Sequence, residues 1–343
     1  MEFNKTYFLN LAKELLTTPS PSGYCHNIMT KIEHYANELN LHLEKTNKGN
    51  AIITFEGENK DYTVGLSAHV DTLGLMVRSV NQNGTLKITT IGGNQPNSLI
   101  GEYCTIFNRD NKTFSGTILT TSYSSHVYDN ANKLGSKFDD LMIRIDEMVK
   151  NKQDVLDLGI CNGDFIAIDP KTTITENDFI KSRHIDDKIS VAIIFTLFKA
   201  FIDEKIKPKN TIKFIISTYE EVGHGSSHIP CQIEELIAVD MGCIGKDLAC
   251  TEYDVSICAK DSSGPYDYFM TSRLIDIAKS ENLSHAVDIY PFYGSDASAA
   301  LRGGNNIKAA LIGPGVHASH GMERTHYNAC LASMKLLAHY LTK

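Results

Sequence analysis

Thr211-Ile-Lys-Phe-Ile-Ile-Ser-Thr-Tyr219 runs straight into Glu220-Glu221-Val222-Gly223-His224-Gly225. The first nine residues are apolar and β-branched enough for a buried strand. The strand stops on two carboxylates and a glycine-rich turn. Carboxylates at the edge of a core cost several kcal/mol unless something pairs with them. A metal ion offsets that cost, and a carboxylate beside a metal-activated water can serve as a base. A solvated strand end is the plainer explanation, so the segment needs partners elsewhere in the chain. Consecutive strand residues face opposite ways. Both glutamates can serve one site only if the chain leaves strand geometry there, as Gly223 and Gly225 permit.

Candidate partners occur at ends of the same kind. His69-Val70-Asp71 closes the apolar run that begins at Tyr62, with the imidazole and the carboxylate on one strand face. Such a pair suits a metal ligand and the group that orients it, or a His-Asp hydrogen bond at a junction. Asp240 ends Leu236-Ile-Ala-Val. Asp186-Asp187 opens a helical stretch, where an aspartate would also be an ordinary N-cap. His317, His320 and His326 follow the run 307–312 and the turn Gly313-Pro314-Gly315. His320-Gly-Met-Glu323 is the most metal-like of these patterns, but spacing alone does not choose among the three histidines. Ligands of open α/β sheets gather where strands end at their carboxyl side. Imidazoles and carboxylates without sulfur suit two zinc or cobalt ions bridged by a carboxylate.

Around these segments, helical periodicity marks 4–17, 26–40, 187–204, 266–281 and 326–341. Strands are expected at 50–55, 62–68, 211–218, 236–240, 253–259, 285–290 and 307–312. Helices alternating with apolar strands make the fold class α/β, with a mixed or parallel sheet. Between 73 and 180 the pattern changes to short β runs separated by turns such as Asn83-Gly84 and Gly92-Gly93, which suggests a small barrel or sandwich. One helix is expected inside it, at Phe138–Lys150. The domain map is therefore 1–72 with 181–343 as an α/β core, and 73–180 as a β-rich insert.

Composition narrows the function classes. A net charge of -8 argues against a nucleic-acid partner. No run approaches the ~20 apolar residues of a membrane span. The start Met1-Glu2-Phe3-Asn4-Lys5 lacks the pattern of a signal peptide. Eight cysteines at 25, 104, 161, 231, 243, 250, 258 and 330, with no C-x-x-C pair, are expected to be reduced thiols of a cytoplasmic protein.

Taken in order, Ser67-Ala-His69-Val-Asp71 with Leu73-Gly74, Ile91-Gly92-Gly93, Ser182-Arg183-His184-Ile-Asp186-Asp187-Lys188, Glu220-Glu221-Val-Gly223, Val239-Asp240, Gly294-Ser-Asp296-Ala and Ser319-His320-Gly-Met-Glu323 resemble the tetrahedral-aminopeptidase (glutamyl aminopeptidase) family of dinuclear-zinc metallopeptidases. The resemblance covers nearly the whole chain. It implies an α/β metallopeptidase core with an inserted β-barrel used for dimerisation, and assembly as dimers and a dodecamer. It implies that His69 and Asp240 hold one metal, Glu221 and His320 the other, and that Asp186 bridges them. Glu220 would be the general base, and Asp71 would orient His69. The expected activity is removal of N-terminal residues from short peptides through a water activated by two divalent ions, zinc or cobalt. Related hydrolases, a deacylase or a carboxypeptidase, share that chemistry. An endoglucanase is a weaker reading, since the chain has no tryptophan for sugar stacking, and a non-catalytic assembly protein is weaker still. Three positions depart from the family pattern: Thr72 stands where an acidic residue is common, Lys188 replaces an arginine, and His184 replaces a small residue. None removes an expected ligand.

Overall fold

The structure, a computed structural model, describes residues 1–230 and 232–343. Its centre is a ten-stranded mixed sheet. Four neighbouring strands run parallel, in the order Asn210–Ser217, Asn59–His69, Ile233–Val239 and Lys308–Val316. Antiparallel strands Ala51–Phe55 and Val255–Asp261 flank them. Parallel strands need helical crossovers that cover both faces, so they read as continuous apolar runs. The burial of Val64 through His69 along one strand follows that rule.

The helix Ile185–Asp203 is apolar all round and buried along nearly its whole length, including Phe195, Phe198 and Phe201. A helix of this kind belongs inside a core rather than on its surface. It packs on the sheet and against the helices Lys5–Thr17 and Tyr327–Thr342, which share one apolar cluster with it. The expected cap at its start is not what forms. His184 occupies the N-cap position in the left-handed region, at φ 65°, and Asp186 and Asp187 take non-helical backbone angles. Their carboxylates find partners elsewhere, Asp186 at the His69 ring and Asp187 at the His69 N–H.

Strands Gly74–Val80, Leu86–Ile91, Leu141–Ile145, Thr113–Thr120, Tyr103–Phe107 and Phe165–Ile168 close into a six-stranded barrel. Leu75, Val77, Ile88, Ile106, Ile118 and Ile166 alternate into its interior. The expected helix at Phe138–Lys150 does not exist. Phe138–Asp140 forms one 3₁₀ turn, Leu141–Ile145 is a barrel strand, and a short helix follows only at Lys152–Asp157. Phe138, Leu141, Met142 and Ile145 happen to recur at helical spacing. Pairing with both Leu86-Lys87 and Gly116–Thr120 overrides that local signal.

Arg183 ties the barrel to the core. Its buried guanidinium donates to the Ser98 carbonyl at 2.5 Å and to the Gly321 carbonyl at 3.3 Å. The seven described cysteines are free; Cys231 lies outside the described residues. No described helix is long and apolar enough to cross a membrane.

Candidate metal centre

Each of the four parallel strands delivers a polar residue at its carboxyl end. His69 is the last residue of its strand, Glu220 and Glu221 follow Ser217, Asp240 follows Val239, and the loop after Val316 carries His320. Asp186 arrives from the start of the buried helix. The sheet edge therefore gathers all the expected ligands, and they line one cavity of about 380 Å³ together with Tyr293, Gly294 and Arg302, except His69, which is buried behind it.

Both histidines are held the same way. His69 places Nδ1 2.9 Å from the backbone carbonyl of Asp71, and His320 places Nδ1 3.0 Å from the carbonyl of Gly93. A carbonyl can only accept, so Nδ1 carries the proton and Nε2 is left to face the site. His69 Nε2 lies 3.1 Å from Asp186 Oδ1 and 3.6 Å from Glu220 Oε2. His320 Nε2 lies 3.5 Å from Asp186 Oδ2 and 3.6 Å from Glu221 Oε2. One carboxylate thus stands between two imidazoles, one oxygen toward each.

An unprotonated Nε2 facing a carboxylate oxygen is a lone pair against a lone pair, and needs a proton or a cation between. Two ligands on tetrahedral bonds of about 2.0 Å stand roughly 3.3 Å apart, which matches these separations. The groups His69-Asp186-Glu221 and His69-Asp187-Asp240 each bring three ligand atoms within 4.8 Å of one another. Asp187 Oδ1 is buried with no hydrogen-bond partner. The donor set and the orphaned oxygen fit a divalent cation.

The electrostatics agree. Burial, then the charge of Asp186, pushes the Asp240 carboxyl up to about 7. The same two causes push Glu323 up to about 8. Burial raises Glu220, Glu221 and Asp187 well above the carboxylate range, with Asp240 and Asp186 prominent among the charges that add to it. Burial alone would lower His320, but its hydrogen bond to Asp186 and the charge of Glu221 raise it to about 10. His69 is raised likewise, by Asp186 and then Glu220, against its burial. Groups whose folded pKa is raised stabilise the fold while protonated and lose that contribution as pH rises through the folded value. A divalent cation must displace those protons. The thermal stabilisation produced by added metal should therefore grow from pH 5.5 to pH 7.5, measured as the difference in Tm between metal-loaded and chelated protein. A difference that is flat or shrinking with pH would count against a carboxylate-imidazole cation site.

Asp71 does a different job from the expected one. Its backbone carbonyl, not its side chain, holds the His69 ring; the nearest carboxylate oxygen is 3.6 Å from Nδ1. The buried carboxylate instead accepts the Glu220 N–H at 3.0 Å, the Glu221 N–H at 3.2 Å and the Ser22 hydroxyl at 2.5 Å. It pins a 3₁₀ turn over Glu220–Val222, closed by Gly223 at φ 83°. This is how two successive glutamates come to face one site. Asp71→Asn replaces an acceptor with a donor against these N–H groups. Leaving one unsatisfied should cost about 1–3 kcal/mol in urea unfolding and lower kcat/KM by about 10–100-fold. Unchanged stability and rate would contradict the pinning role.

The sequence placed three further residues in its motifs without assigning them a role. Asp187 accepts the His69 N–H through Oδ2 at 3.2 Å. Glu323 accepts the Asp186 N–H and the His320 N–H, both at 3.0 Å, and so joins the two chain segments. Asp296 accepts the Ser226 N–H at 2.8 Å and leaves Oδ2 without a partner. Carboxylates immobilised by several backbone donors cannot be told from solvated ones by type alone. Of the remaining histidines, His317 is exposed and His326 caps the last helix through Asn328. His184 is buried and held neutral by its burial and by Lys188, outside both ligand groups. Lys188 donates to the Thr18 carbonyl at 2.6 Å, and its burial lowers it to about 7. Thr72 donates to the Leu73 carbonyl at 2.9 Å.

A sheet whose parallel strands end on carboxylates and imidazoles, with a barrel beside it, is built as a hydrolase site of the divalent-cation kind. The chain belongs to the M42 glutamyl aminopeptidase family, whose model matches residues 49–336. It is 44% identical over 334 residues to the putative aminopeptidase YhfE of Bacillus subtilis (strain 168), covering 97% of this chain and 96% of that one. Identity to the lysyl aminopeptidase of Pyrococcus furiosus is 23% over 214 residues, 62% of this chain and 59% of that one. Among solved structures, the Pyrococcus horikoshii TET1 peptidase, described as assembling into a tetrahedron or a large octahedral shell, superposes with TM-score 0.85 at 20% identity over 98% of this chain and 99% of that one. An endoglucanase of Thermotoga maritima superposes with TM-score 0.76 at 16% identity over 96% of both chains. The chain is thus an aminopeptidase of the M42 family, and the expected fold class, an α/β core with a barrel, is the one observed.

Proposed function

We propose that the chain removes N-terminal residues from short peptides with two divalent ions, zinc or else cobalt. His69 and Asp240 would hold one ion, Glu221 and His320 the other, and Asp186 would span both. The observation that carries this reading is the Asp186 carboxylate between the two imidazoles, at 3.1 and 3.5 Å. When bound, the ions would lower the pKa of a shared water and polarise the scissile carbonyl. Glu220 Oε2, which lies 3.6 Å from His69 Nε2, would take the proton from that water and pass it to the leaving amine. Its raised pKa suits a group that must hold a proton between the two transfers. Asp71 would keep the base in place, and Asp187 and Glu323 would keep the ligand backbone in place.

The domain reading that goes with this function assigns 1–72 and 181–343 to catalysis and 73–180 to self-association, as dimers and then a dodecamer. The TET1 neighbours, described as a dodecamer and as a tetrahedron or large octahedral shell, support self-association. Free cysteines support a cytoplasmic setting.

The test is a panel of aminoacyl-anilides run on chelated protein reconstituted with zinc, cobalt or manganese. Hydrolysis restored by two metal equivalents is expected. No hydrolysis with any of the three metals would overturn the reading.

A further inference from the structure

Part of the cavity lining comes from the segment Phe292–Ser295 and from Arg302, the last residue of the helix Asp296–Arg302. Arg302 is the only lysine or arginine among the described residues that line the cavity. An arginine in the last turn of a helix ordinarily serves the helix dipole and the last carbonyls. Arg302 makes no hydrogen bond and no ion pair with any described residue of the chain. Its guanidinium folds back along the helix instead. Nη2 comes within 3.9 Å of the point where a side chain on Gly294 would begin. Gly294 has no side chain, so nothing at that position stands between the guanidinium and the cavity. An exposed cation without a described partner thus lines a cavity that Asp186, Glu220, Glu221 and Asp240 also line.

We propose that Arg302 binds the C-terminal carboxylate of the peptide, which makes dipeptides and tripeptides the favoured substrates. This rests on the aminopeptidase reading above. The first residue of a bound peptide must sit beside the scissile carbonyl, among Glu220, Glu221 and Asp240. Arg302 lines the same cavity of about 380 Å³ as those carboxylates, so a leaving portion that fills the cavity can bring its terminal carboxylate to the guanidinium. Each further residue carries the terminal carboxylate about 3.3–3.6 Å away from the scissile bond. Only a short leaving portion keeps that carboxylate inside the cavity that Arg302 lines. A guanidinium binds a carboxylate in a two-point, charge-assisted geometry that an amide cannot match.

The experiment compares Ala-Ala, Ala-Ala-Ala, Ala-Ala amide and a five-residue alanine peptide on the metal-loaded enzyme, wild type and Arg302→Met. In the wild type, kcat/KM for Ala-Ala should exceed that for Ala-Ala amide by about 10–100-fold, chiefly through KM. In Arg302→Met that ratio should fall close to one, and Arg302→Lys should restore part of it. A wild-type ratio near one, or a ratio that survives in Arg302→Met, overturns the assignment. A preference for glutamyl over glutaminyl anilide that disappears in Arg302→Met, with the Ala-Ala ratio unmoved, also overturns it, by placing the carboxylate on the first side chain. Failure of the wild type to cleave any of the four peptides overturns the aminopeptidase reading itself, a result distinct from the others.

Discussion

Glu220→Gln should reduce kcat by about 10²–10⁴-fold while leaving metal content and KM close to wild type. Glutamine keeps the size and the hydrogen-bonding reach of the side chain but cannot take up a proton. The backbone N–H of residue 220 would still donate to Asp71, so the 3₁₀ turn that aims Glu221 should survive. The loss should fall on the proton-transfer step alone. Elemental analysis and steady-state kinetics on the same preparation separate the two effects. A variant with wild-type turnover would remove Glu220 from the role of base. A variant that also loses metal would make it a ligand instead.

Asp186→Ala should abolish tight binding of both ions and bring activity to background. Asp186 is the one side chain whose two oxygens approach His69 and His320 together. Without it, each imidazole faces the site with no shared anion, and the two halves of the site are uncoupled. Hydrogen bonding to these histidines and their charge also hold the Asp186 carboxyl well below the usual carboxylate range, against its burial. Both effects favour the charged, cation-binding form. Isothermal titration with zinc should show at least a 100-fold loss of affinity, in line with the loss of a metal-ligating group. Retention of two tightly bound equivalents would contradict the bridging role. Both variants keep the core helix intact, since neither residue contributes to its apolar packing.

The residues singled out from the sequence lie together in the structure, and they did so legibly for one reason. Each is polar and sits where an apolar run stops: His69, Glu220, Asp240. Parallel strands buried on both faces cannot carry such groups internally, so their carboxyl ends are where polar chemistry accumulates. The α/β class follows from the same runs. Local periodicity failed at Phe138–Lys150, where side chains spaced as in a helix proved to be the wall of a barrel. Strand partners on either side decide that segment, and the segment does not contain them.

By itself, then, the sequence determined which residue types are available at which strand ends, and with them the fold class and the kind of chemistry. Spacing alone did not choose among the three histidines; the order of motifs pointed to His320, and in the fold Gly93, 227 residues away in the chain, supplies the carbonyl that turns its ring. Tertiary structure alone decided that the Asp71 carboxylate serves the glutamate turn 149 residues later rather than the imidazole two residues before it. Hydrophobic periodicity is a local property and survives in a one-dimensional reading. Hydrogen-bond partnership between distant segments depends on how the sheet brings their ends together, and only the folded chain contains that distance.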